Sequence, residues 1–126
     1  MPISYTIEPD GRLVTRADGL ITFHDIHAHL DHEQRNRDLG RAELVDARGA
    51  IAELTPDQIR SLIQRAEDML ETVDLGPTAF VITNDVVFGM ARMYTLLAER
   101  AGVNAQVFRD VPSATTWLAS FDGRKP

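Results

Sequence analysis

Residues 54–83, "LTPDQIRSLIQRAEDMLETVDLGPTAFVIT", decide the fold. Ile59, Leu62, Ile63, Ala66, Met69, Leu70 and Val73 recur at three- and four-residue spacing, which predicts an amphipathic helix with one apolar stripe. Its start is well marked: Thr55 suits the N-cap, Pro56 suits the first helical position, and Gln58 completes the spacing of a capping box. "GPTAFVIT", residues 76–83, has a different pattern. Its apolar residues run continuously instead of alternating, as in a strand covered on both faces. A helix that leads into such a strand is the building unit of a mostly parallel α/β sheet.

Working outward, "ISYTIE" (3–8) alternates with Ile3, Tyr5 and Ile7 on one side, "PDGR" (9–12) supplies a tight turn, and "LVTRA" (13–17) resumes an extended pattern, so the chain opens with a β-hairpin. From Thr22 the period changes. Phe23, Ile26 and Leu30 mark a helix running to about Arg35, and Thr22 with Asp25 has the spacing of a helix start. "NRDLGR" (36–41) is a polar connection, and "AELVDAR" (42–48) is a short strand ending in charge. "NDVVFGMARMYTLLAERAG" (84–102) is a third helix, capped by Asn84 or Asp85 and closed by Gly102. "NAQVFRD" (104–110) is a last strand and "SATTWLASF" (113–121) a closing helix. The resulting order, β-β-α-β-α-β-α-β-α, predicts one α/β sandwich over residues 1–121, with a mostly parallel five-stranded sheet, about four helices and a frayed tail at 122–126.

Composition limits the function. The chain has 126 residues, 44% hydrophobic and 25% charged, enough to bury a core without disulfides or a structural metal. A net charge of -6 and no basic cluster argue against nucleic acid as a partner. The absence of cysteine excludes a thiolate nucleophile and any Cys-ligated zinc or iron–sulfur centre. No run approaches the roughly 18 apolar residues of a membrane span, and the N-terminus lacks a signal-peptide pattern. A cytoplasmic location is expected.

All four histidines fall in "HDIHAHLDH", residues 24–32. At about 100° per residue they divide around the Phe23, Ile26, Leu30 stripe, with His24, His27 and Asp31 on one flank and Asp25, His29, His32 and Glu33 on the other. His27 with Asp31, or Asp25 with His29, has i, i+4 spacing, but a metal needs further ligands and no other histidine exists to supply them. The segment is therefore expected to be a solvated helix surface, with no metal and no cofactor. An enzyme would need a pocket in which His24 or His27 converges with carboxylates from another element. The fingerprints of acyl transfer, phosphate loops and dinucleotide binding are absent, and Ser4, Ser61, Ser113 and Ser120 have no recognisable base. Ser113 is expected to be a turn or cap residue.

Asn84 and Asp85 lie just past a buried strand, where α/β proteins bind ligands beside a helix N-terminus. With Arg92 they are the candidate ligand-binding residues, although N-capping alone also accounts for the first two. In the same helix Val86, Val87, Met90, Met93, Tyr94 and Leu97 form a wide apolar stripe. Phe88 and Leu96 fall on its polar side around Arg92, which makes Phe88, Arg92 and Leu96 the candidate interface.

"FVITNDVVFGMARMYTLLAE" (80–99) and "VFRDVPSATTWL" (107–118), with "ISYTIEPDGRLV" (3–14), "ELVDARGA" (43–50) and "LTPDQI" (54–59), resemble a family of small bacterial STAS-like proteins related in fold to the SpoIIAA anti-sigma-factor antagonist. The resemblance covers nearly the whole chain and implies a stand-alone domain, in a family mostly without an assigned activity. STAS antagonists are phosphorylated on a serine in a D-S-S-G-type motif at the start of the helix after the central strand. The similar place here holds Thr55 as its only hydroxyl. The paired serines and the glycine are missing and Pro56 follows directly, so Thr55 is better explained as a helix cap than as a phosphorylation site.

These observations lead to an expectation of a non-enzymatic STAS-like module that works through protein contacts, including self-association as a homodimer. A second reading is a binding domain for an apolar or anionic small molecule. A metal-dependent enzyme built on His24–His32 comes third.

Overall fold

The structure is a computed structural model and describes residues 2–122. Its elements are β1 (Ile3–Ile7), β2 (Leu13–Ile21), α1 (Phe23–Arg35), β3 (Glu43–Ala52), α2 (Pro56–Leu70), β4 (Thr78–Val81), α3 (Asp85–Arg100), β5 (Ala105–Phe108) and α4 (Val111–Asp122). This is the predicted order. The five strands lie side by side in sequence order, β1 antiparallel to β2 and the rest parallel. Of the tail expected at 122–126, residues 123–126 lie outside the described residues.

A sheet in sequential order with right-handed crossovers places every crossover helix on one face, so α1, α2 and α3 lie together there. Alternation along β4 shows the two faces. Ala79 and Val81 join Leu44 in a cluster with Ala114 and Leu118 of α4. The intervening Phe80 points the other way, with Ile63 and Ala66 of α2 and Tyr94 of α3. One helix thus seals one face, and three helices enclose a space against the other.

The caps follow the sequence. Thr55 Oγ1 accepts from Gln58 N at 3.1 Å while Gln58 Oε1 accepts from Thr55 N at 2.9 Å. Thr22 and Asp25 form the equivalent box on α1. Thr55→Ala is expected to cost about 1 kcal/mol in equilibrium urea denaturation, and Thr55→Ser close to nothing.

Three local expectations are corrected. β2 and β3 do not stop near Ala17 and Arg48; after a register shift between Arg16 and Asp18 they pair again from Asp18↔Gly49 to Ile21↔Ala52. Two glycines lie beside the bulge: Gly19, just past it, has φ +74, and a Cβ on Gly49 would come within 2.5 Å of Asp18 Oδ1. α4 starts at Val111, because Asp110 Oδ1 accepts from Ser113 N at 2.8 Å, so Ser113 donates to the cap and does not supply it. Val86 is not part of the α3 core face. It is 64% exposed, while Val87, Thr95 and Ala98 are buried.

Candidate functional site

The space under α1, α2 and α3 is a cavity of about 210 Å³. Ile26 and Leu30 of α1, Ile59 and Leu62 of α2, Phe80 of β4 and Met90 of α3 contribute to its apolar wall. Its polar lining is concentrated in a few side chains. His29 and Glu33 stand one helical turn apart on α1. Glu43 begins β3 on the inner face, opposite in direction to Leu44, and Thr15 approaches from β2.

These four groups form one buried network. His29 Nε2 lies 3.3 Å from Glu33 Oε1 and 3.1 Å from Glu43 Oε2. Thr15 Oγ1 donates to Glu43 Oε2 at 2.5 Å. Glu33 is only 1% exposed, and its Oε2 has no hydrogen-bond partner among the described residues.

Burial, then the charge of Glu43, push the Glu33 carboxyl far above the ordinary carboxylate range, to about 10. Burial also opposes ionisation of Glu43. The hydrogen bond and charge of His29, with hydrogen bonds from Thr15 and Glu33, outweigh it and hold Glu43 below its usual value. The arrangement is a protonated acid beside an ionised one. Tyr94 lines the same cavity, and burial, reinforced by Glu43, raises its hydroxyl to about 12, so it stays a neutral donor.

The solvated reading of the histidine helix is therefore corrected for His29 and Glu33. The signal was present in the wheel. Glu33 is seven residues from Ile26 and three from Leu30, which places it within about 20° of Ile26 on the apolar stripe. Its residue type, rather than its position, suggested solvent. What the sequence could not show was Glu43, the carboxylate from another element that meets His29 instead of His24 or His27.

The remaining histidines do not converge. His24 and His32 are exposed. Asp25 is engaged in the α1 cap, so it makes no pair with His29. His27 and Asp31 are bridged by Arg65 of α2, whose Nη1 donates to His27 Nδ1 at 2.8 Å and whose Nη2 meets Asp31 Oδ1 at 2.7 Å. Burial and then the Arg65 charge lower the His27 pKa, so this imidazole is an acceptor for the guanidinium.

At the other proposed positions, Asn84 caps α3, its Oδ1 accepting from Val86 N and Val87 N. Asp85 pairs with Arg109 at 3.0 Å, and the same guanidinium lies 3.8 Å over the Phe88 ring. Arg92 is exposed two helical turns from Asn84, about 12 Å along the axis, so the three ligand candidates are not brought together. Arg92 and Leu96, the latter 55% exposed, share the outward face of α3. Phe88 is half-buried against the core. Thr55 is an exposed N-cap.

No family model matches the sequence, and no curated protein is significantly similar to it. Among solved structures, an uncharacterized protein of the DUF3478 family with a SpoIIAA-like fold, from Shewanella loihica PV-4, superimposes with a TM-score of 0.61. The match covers 92% of this chain and 93% of that one at 16% identity. No helix among the described residues is long and apolar enough to cross a membrane. The five-stranded mixed sheet, its four helices and this superposition together give the chain a SpoIIAA-like fold, as the resemblance of its sequence implied.

Proposed function

We propose that the domain is a non-enzymatic binding module that takes a small, mainly apolar molecule with a polar end into the cavity between the sheet and α1–α3. The observation that carries this reading is the cavity itself, about 210 Å³ with an apolar wall and a polar corner at Thr15, His29, Glu33 and Glu43. A dry apolar cavity of about 150 Å³ already takes up benzene. None of the four serines lines this one, so it contains no serine nucleophile. The polar corner fixes orientation, because Glu33 Oε2 is an unmet acceptor for a donor on the ligand.

Thermal shift against indole, cyclohexanol and benzyl alcohol tests the reading. At least one is expected to raise the Tm of the native chain by mass action. Ala91→Phe, which fills the cavity from α3, is expected to abolish that shift while keeping the fold. Equal shifts in both proteins, or none in either, would discard the cavity as the binding site.

A role in protein contacts, including self-association, is the second reading. It is favoured by Arg92 and Leu96 on the outward face of α3, where Leu96 is a large apolar side chain left more than half exposed. Sedimentation at high concentration is expected to show a dimer that Leu96→Glu dissociates. A native chain that stays monomeric removes the homodimer.

A further inference from the structure

We propose that His29, Glu33 and Glu43 form a binding site for a divalent metal ion of the zinc class, with its open coordination position facing the cavity. The donor set is one imidazole nitrogen and two carboxylates, all of whose ligand atoms lie within 4.8 Å of one another. Two of the donors sit four residues apart on α1, so one helical turn aims both at the same point, and β3 supplies the third from across the cavity wall. Bonds of about 2.0–2.2 Å at tetrahedral angles put neighbouring donors about 3.3–3.5 Å apart. The observed His29–Glu33 and His29–Glu43 separations, 3.3 and 3.1 Å, already match that edge to within a few tenths of an ångström.

Glu33 Oε2 points to a ligand independently of this spacing. It belongs to a side chain that is 1% exposed and lines the cavity, and it has no hydrogen-bond partner among the described residues. A buried acceptor with nothing to accept from is rare in a native core. Binding of the ion releases the proton shared within the carboxyl pair, and its two charges then balance the two carboxylates.

The ligand number favours zinc-class ions over magnesium or calcium, which want six or more oxygens. Thr15, through its bond to Glu43 Oε2, orients a ligand from outside the coordination sphere. His29 keeps 11% of its side chain exposed, so the site is reachable from solvent. A metal here leaves three protein ligands and one free position, to which water or the polar end of a cavity ligand coordinates.

The test uses the full chain stripped with a chelator and titrated calorimetrically with zinc chloride, then with cobalt chloride while visible absorption is recorded. One zinc per chain is expected, together with a rise in Tm and the intense visible bands of four-coordinate cobalt. Glu33→Gln, which preserves shape and removes the anionic ligand, is expected to lose all three signals; His29→Ala is expected to do the same. Thr15→Val should weaken affinity by about tenfold. The control, a double variant His24→Ala and His32→Ala, removes the two exposed imidazoles and should bind as the native chain does. Should His29→Ala fail to fold, Glu33→Gln decides alone. Zinc uptake unchanged in Glu33→Gln places the metal elsewhere and overturns the proposal, as does a native chain that binds none. Because the metal alone is the probe, this result is independent of whether apolar ligands enter the cavity.

Discussion

Glu33→Gln is expected to stabilise the metal-free protein by about 3 kcal/mol at pH 7. In the folded chain burial and Glu43 raise the Glu33 carboxyl from 4.5 to about 10. Between these values the unfolded chain has released the proton that the folded chain retains. The folded state therefore binds more protons than the unfolded one, and native stability falls as pH rises through that window, by about 1.4 kcal/mol per pH unit for one proton. Glutamine keeps the shape of the neutral acid and can donate to Glu43 without taking up a proton. The two proteins should thus be equally stable near pH 4 and diverge steadily toward pH 9, in urea melts with a chelator present. Parallel pH profiles would show that Glu33 is ionised in the native protein and would sink the buried-proton account.

The second large effect is non-additive. Glu43→Ala in the Glu33→Gln background is expected to cost about 1–3 kcal/mol, because the His29 ring then has no carboxylate partner and Thr15 loses its acceptor. In the otherwise native chain the same substitution should cost markedly less. Removing the Glu43 charge removes one of the causes that hold Glu33 protonated, and Glu33 Oε1 stands 3.3 Å from the same imidazole. Burial, the larger cause, still opposes its ionisation, so Glu33 serves the imidazole through Oε1 as a hydrogen-bond partner. A double-mutant cycle measured at pH 7 isolates this exchange. Strict additivity of the two substitutions would mean that the carboxyl groups do not substitute for one another.

Much of the fold was legible because its determinants are local. Thr55, Pro56 and Gln58 announce the start of α2 within four residues, and the stripe from Ile59 to Met69 identifies the face it buries. Asn84 marks α3 in the same way. Misreadings arose where a local cue served a different partner. The charged end of "AELVDAR" suggested a strand end, yet β3 runs on to Ala52 past a bulge with β2, where Gly49 leaves room for Asp18, and this is visible only once the two strands are paired. Val86 followed the apolar period of α3 but lies in its first exposed turn, where neither the sheet nor a neighbouring helix covers it.

The site was much less legible. The histidine cluster attracted notice because its residues are adjacent in sequence, whereas the polar network uses one of them. His29 and Glu33 share a turn of α1, but Glu43 is 14 residues from His29 and Thr15 is 28 residues from Glu43. Similarly, Arg65 reaches His27 across 38 residues and Arg109 reaches Thr83 across 26. Periodicity and capping depend on neighbours within about one helical turn, so the amino-acid order was enough for the element sequence and the α/β class. Whether a carboxylate is solvated or buried beside another depends on which strand the helix settles against. That is decided by long-range packing of α1 over β2 and β3, and with it the cavity, the raised acid and the candidate metal ligands come into being.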